Sequence, residues 1–198
     1  MTQPANNLRV RRTQKLLREA LIELIEEQGF DGLTVGEITE RAMVSRAAFY
    51  RNYQDKFDLV EQIYAEAIQA LFNALSEPTQ VHSAEIWVRF LEHIAEYERL
   101  YRALLGRKGS PWFVLKMRAS LIDLVKEFER LSTSEWQPAV GRPIYPAKDE
   151  FVPDIVATMV VEAITWWLEQ GMPYTPEEFA KRCILLTGAI FTETSTWE

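Results

Sequence analysis

The seven residues from Ser45 to Arg51, SRAAFYR, bring together side chains whose chemistry suits a nucleic acid. Arg46 can donate two hydrogen bonds to a guanine edge, while Ala47 and Ala48 let a backbone come close or touch a thymine methyl. Ser45 and Tyr50 can donate to phosphate, and Arg51 adds charge at the far end, either toward a phosphate or as a solvated surface residue. Lys56 stands where a further helix begins, so its ammonium can act with free backbone N–H groups to hold a phosphate. Thr34 can do the same at an upstream helix start. Arg9, Arg11 and Arg12 can reach a flanking phosphate or the minor groove, or form a solvated tail.

These groups need elements to position them. Leu16, Leu17, Ala20, Leu21, Leu24 and Ile25 recur at helical spacing, and Gly29 supplies a stop, which predicts a first helix over about Val10–Gln28. Thr34 followed three residues later by Glu37 is a capping box, and Val35, Ile38 and Ala42 mark the inner face of a short second helix. Ser45 can cap a third helix through about Asn52, with Phe49 and Tyr53 turned to the core. Asp55 can cap a long fourth helix carrying Phe57, Leu59, Val60, Ile63, Tyr64, Ala67, Ile68, Leu71 and Leu75 before Pro78. A short polar helix held against an amphipathic one is the device that presents side chains to a major groove. The same pair can also serve a helical interaction module that never touches DNA.

Charge is divided to match. The 198-residue chain has a formal charge of −7, which opposes non-specific coating of nucleic acid. Through Lys56, however, nine Lys or Arg stand against eight Asp or Glu, a balance of +1 that leaves −8 to the remaining residues. Arg9, Arg11, Arg12, Lys15 and Arg18 form a run free of acids. A near-neutral head with basic faces on an acidic body fits a DNA-reading module joined to something with another task.

Beyond Pro78 the pattern stays helical and becomes richer in aromatics. One helix is expected from Ser83 to about Leu105, a break at GRKGSP, another from Pro111 to about Leu131, a proline-rich loop over Ser132–Lys148, and two closing helices over about Phe151–Gln170 and Pro176–Thr194. Trp87, Phe90, Tyr97, Tyr101, Trp112, Phe113, Met117, Phe128, Met159 and Trp166 can line an apolar ligand pocket with His93 as a polar orienting group, or can be ordinary core. Ala163, Trp167, Phe179, Cys183, Leu186 and Ile190 give the closing helices more apolar surface than a terminal pair needs, which makes them the candidate dimer interface, though packing within one chain is open to them too.

Enzyme readings find little support. No Gly-rich phosphate loop, nucleophile elbow or zinc motif is present. Glu92, His93 and Glu96 lie on one helical stretch, but a di-iron bundle requires a second Glu-x-x-His segment, and His82, the other histidine, falls in an expected loop. Neither a metal nor a cofactor is expected. The lone Cys183 excludes an intramolecular disulfide, the N-terminal MTQPANNLRVRR lacks the apolar stretch of a signal peptide, and runs such as CILLTGAIF are too short for a bilayer. A cytoplasmic location with no membrane contact is the expectation.

From about Lys15 to Val60 the chain resembles the DNA-binding domain of the tetracycline-repressor (TetR) family of bacterial regulators. The matching elements are Gly29-Phe30, Leu33-Thr34-Val35, Ile38, Ala42, Val44-Ser45, Phe49-Tyr50, Tyr53, Asp55-Lys56 and Leu59. In the family's pattern the residues here numbered Tyr50 and Lys56 contact phosphate. The chain departs from it at Ala42-Met43, where Ala-Gly is usual, so Met43 must accept a turn conformation that glycine adopts freely. The resemblance implies an all-α protein of about nine helices: a three-helix DNA-binding domain with a helix-turn-helix over residues 1–55, and a helical effector-binding and dimerisation domain over 56–198. It further implies a homodimer on a palindromic DNA operator, its last two helices pairing across a two-fold axis, and a small-molecule effector that releases it from DNA. A body that binds a protein partner in place of a small molecule is the alternative.

Overall fold

A computed structural model describes residues 3–76, 83–132 and 151–194. Among the described residues all regular structure is helical: α1 (Gln3–Gln28), α2 (Val35–Arg41), α3 (Arg46–Tyr50), α4 (Lys56–Ser76), α5 (Ser83–Glu96), α6 (Glu98–Leu105), α7 (Pro111–Ser132), α8 (Phe151–Glu169) and α9 (Pro176–Thr194). The stop expected at Pro78 and, from residue 133, the proline-rich loop lie outside the described residues. Two elements differ from expectation. The first helix begins at Gln3, so Arg9, Arg11 and Arg12 are exposed on a helix and do not form a tail. The single helix expected from Ser83 to Leu105 divides at Tyr97, whose N–H still donates to the His93 carbonyl at 3.1 Å before α6 begins. That division falls where the chain passes from one compact unit to another.

By packing, the first unit comprises residues 1–66 and 99–110, and the second residues 67–98 and 111–198. The first unit therefore runs past the expected division after residue 55 and takes in α6 and the turn that follows it. Its core is built by Leu17, Leu21 and Ile25 of α1, Phe30, Ile38, Phe49 and Leu59, all essentially inaccessible. Leu16, expected on the same stripe, is 39% exposed, and Ile22 is buried in addition to the expected positions. Arg41 fastens α2 to α1, reaching Glu27 at 2.7 Å and Glu23 at 3.2 Å. On α6, Arg99 bridges Glu19 and Glu26 of α1 at 3.3 and 3.2 Å. Gly29 closes α1 with φ +88, and a Cβ there would stand 3.1 Å from the Lys108 carbonyl, so both its backbone angle and the close approach favour glycine. Next to it, the Phe30 N–H donates to that same carbonyl at 3.3 Å.

In the second unit α8 packs between α7 and α9, and α5 lies along α9. Arg118 of α7 and Asp154 of α8 meet at 3.6 Å. At 19 residues, α8 is long and apolar enough to cross a membrane, a property the sequence reading had not noticed. Val152, Val156, Val160, Ile164, Trp167 and Leu168 are buried in the unit, which is what makes α8 apolar. Trp167 is wholly enclosed: its ring stacks on Phe179 at 4.8 Å, and its indole N–H donates to the Tyr174 carbonyl at 2.9 Å. After α8, Gly171 and Met172 take positive φ, and Thr175 and Glu178 cap α9 reciprocally at 3.1 and 3.2 Å.

Candidate nucleic-acid interface

The α2–turn–α3 segment is held by local bonds that its sequence dictates. Thr34, extended at φ −111 and ψ 154, caps α2: its hydroxyl oxygen accepts from the Glu37 N–H at 3.3 Å, and the Glu37 carboxylate accepts from the Thr34 N–H at 2.8 Å. The hydroxyl also donates to that carboxylate at 2.7 Å, and these bonds, with Gln28 and the Lys56 charge, hold Glu37 below the usual carboxylate range. At the other end of α2 the Met43 N–H donates to Glu40 and the Val44 N–H to Thr39, the two bonds of a Schellman closure. Met43 occupies its left-handed position, φ +52, with 91% of the residue in solvent. A methionine thus completes the turn that glycine usually makes.

Ser45 opens α3, its hydroxyl oxygen accepting from the Ala48 N–H at 3.2 Å. The five-residue helix turns Phe49 fully inward, with the Tyr53 ring 5.6 Å away, while Ser45, Arg46, Ala47, Tyr50 and Arg51 are exposed. Thr34, at the start of α2, is exposed as well. The Arg46 guanidinium lies over the first turn of α2, close enough that a Cβ on Gly36 would come within 2.7 Å of its Nη2. Gly36 was not singled out from the sequence, although a glycine inside a helix is a signal of close approach.

Lys56 differs from the others, because it is only 8% exposed. Its ammonium donates to the carbonyls of Phe30 at 2.9 Å and Asp31 at 2.7 Å, and lies 4.7 and 5.2 Å from the Phe30 and Phe57 ring centres. Burial lowers its pKa, against the opposing pull of Asp31, Glu37 and Asp55. Lys56 is thus a latch on the α1–α2 turn, a role that no local sequence pattern announces because its partners stand 25 and 26 residues away.

The residues expected around a ligand are not one constellation. Tyr101 is buried in the first unit, on α6. In the second unit Phe90, Phe113 and Met117 are core, whereas Trp87, His93, Tyr97, Trp112 and Met159 are partly exposed, with the His93 and Tyr97 rings 4.7 Å apart. The Phe128 side chain lies outside the described residues. Trp166, expected in the pocket, is 46% exposed beside Tyr174. The expected dimer set also divides. Trp167, Phe179 and Cys183 pack inside the unit, with burial pushing the Cys183 thiol up to about 11, so they have no surface left to offer a partner. Leu186 is well exposed, and Ala163 and Ile190 are partly so; Phe151, Ile155 and Leu185 add exposed apolar surface on the same two helices.

Comparison with known proteins places this geometry. The profile of bacterial regulatory proteins of the tetR family matches residues 17–63, and that of a transcriptional regulator C-terminal region matches residues 81–187. Over 70 residues the chain is 34% identical to YxbF, an uncharacterized HTH-type transcriptional regulator of Bacillus subtilis (strain 168); the match covers 33% of this chain and only 18% of that relative's length. A TetR regulator from Streptococcus agalactiae 2603V has a similar fold, with TM-score 0.60 at 22% identity over 92% of this chain and 97% of its own. The dihydroxyacetone kinase operon activator DhaS is similar at TM-score 0.60 and 16% identity, over 91% of this chain and 97% of its own. With a capped helix pair presenting Arg46 and Tyr50, and with both halves matched, this chain belongs to the TetR family of DNA-binding transcriptional regulators and is not an enzyme.

Proposed function

We propose that the protein is a ligand-responsive repressor, a cytoplasmic homodimer that binds a palindromic operator and is released by a small, largely apolar or aromatic effector. The observation that carries this reading is the exposed face of α3, where Ser45, Arg46, Ala47, Tyr50 and Arg51 stand together while Phe49 anchors the helix from behind. Arg46, with Ser45 and Ala47, reads bases; Thr34, Tyr50 and Arg51 position the helix on phosphate. Lys56 acts first on the α1–α2 turn, and its remaining N–H is the one that can reach a phosphate.

Phe151, Ile155 and Trp166 of α8 with Leu185 and Leu186 of α9 supply the face on which two copies pair, and pairing gives the half-site symmetry of the operator. The effector binds among the second unit's aromatics, Trp87, His93, Tyr97 and Trp112 being the partly exposed ones. The single helix α4 contributes residues to both units and is the lever between them. By linkage, an effector that lowers DNA affinity must itself bind less tightly when DNA is bound, by the same factor.

Selection of bound sequences from random DNA, followed by light scattering of the free protein, tests this reading. A palindromic consensus and a dimer are expected; no consensus, or a monomer at micromolar concentration, refutes it. DhaS is named as an operon activator. A reporter driven by the selected operator decides the direction of control, a rise in expression overturning repression.

A further inference from the structure

α2 contains a glycine that its backbone does not require. Gly36 has the negative φ of a helical residue, a conformation open to any side chain, and glycine at such a position weakens a short helix relative to alanine. What occupies the space is the end of Arg46: the guanidinium crosses the first turn of α2 where a Cβ on residue 36 would stand 2.7 Å from Nη2 and 3.6 Å from the Thr34 hydroxyl oxygen. Arg46 itself is exposed and has no hydrogen-bond or ion-pair partner among the described residues, so nothing but this packing directs its side chain. The next residue of α2, Glu37, has its carboxylate committed to Thr34 and Gln28 and does not draw the guanidinium toward itself.

We propose that Gly36 is a specificity-determining residue, whose missing side chain sets the direction in which Arg46 presents its donors to a base edge. An arginine discriminates guanine only when its planar fork is aligned with the two acceptors of the major-groove edge. A methyl group at residue 36 moves the guanidinium outward. That shift costs the fold little, because the displaced atoms are the free end of a flexible side chain, but it changes the angle from which the fork approaches. The inference rests on Arg46 reading a base, and the test separates the two claims.

Full-length parent, Arg46→Ala, Gly36→Ala and the double variant are each used to select bound sequences from random DNA, with thermal unfolding followed by circular dichroism. Arg46→Ala is expected to remove about 5- to 150-fold of preference at one base-pair position of each half-site. Gly36→Ala is expected to lose about threefold or more of that same preference, with an unfolding midpoint at or above the parent's and an unchanged salt dependence. In the double variant the second substitution adds nothing. If Arg46→Ala leaves preference unchanged, the base-reading role of Arg46 fails and this inference with it. If Arg46→Ala relaxes preference while Gly36→Ala does not, or if Gly36→Ala acts equally without Arg46, the inference alone is overturned.

Discussion

Replacing Lys56 by methionine removes an ammonium while keeping an unbranched apolar stem over Phe30 and Phe57. The ammonium makes two hydrogen bonds to carbonyls, at 2.9 and 2.7 Å, on the turn that joins α1 to α2. Hydrogen bonds from a charged donor contribute about 1.5–3 kcal/mol each. Two that share one ammonium do not add fully, and burial penalises the charge, as its lowered pKa records. A net loss of about 2–3 kcal/mol is expected, concentrated in the turn because the Phe30 carbonyl is left without this donor. Tryptophan fluorescence is the wrong probe, since none of the six tryptophans falls in the first unit. Amide hydrogen exchange of Phe30 and Leu33, which donate to the carbonyls of Lys108 and Phe30, reads the turn directly. The loss corresponds to about 30- to 150-fold faster exchange there. A change below about threefold refutes the latch. DNA titration of the same variant over a range of salt separates a second role: a lost phosphate contact lowers the slope of log affinity against log salt by about 0.9, whereas a weakened turn lowers affinity with the slope unchanged.

Three further outcomes follow from the geometry. Met43→Gly is expected to stabilise the first unit by about 0.5–1 kcal/mol, because it relieves a left-handed residue whose side chain touches little; slower hydrogen exchange across 39–49 checks it, and faster exchange contradicts it. Glu37 is held below its ordinary 4.5, so its stabilising contribution is complete above that pH and disappears as pH falls through the lowered value; Glu37→Gln is expected to make the α2 amides less sensitive to acid in that window, and an unaltered pH profile counts against the capping box. Cys183, buried with its thiol raised to about 11, is expected to resist thiol reagents at pH 8 in the native protein and to react fully in denaturant; rapid native labelling shows that the α8–α9 packing opens.

Local pattern determined the DNA-reading half of this protein. Thr34 with Glu37 and Ser45 with Ala48 are bonds between residues three apart, and the inward period of Ile38, Ala42 and Phe49 depends only on helical spacing, so caps, turn and recognition face were all legible before any coordinates. Even Met43 could be assigned its unusual backbone, because the turn forces it. The sequence also placed the closing helices nearly to the residue, since Pro176 and its neighbouring acids mark a start by local chemistry.

Tertiary structure decided what each side chain is free to do. Trp167 and Trp166 are neighbours on one helix, equally apolar on paper, yet one is enclosed against Phe179 and the other is 46% exposed, because a helix turns successive residues about 100° apart and only packing says which direction is inside. Lys56 resembles a phosphate contact in sequence and is a latch in the fold, since the carbonyls it binds are brought to it by the path of α1. Arg99–Ser110 joins the first unit through partners some 70 to 80 residues distant, a separation at which no periodicity carries information. Gly36 is the same case at short range: its composition was visible, but the guanidinium above it was not.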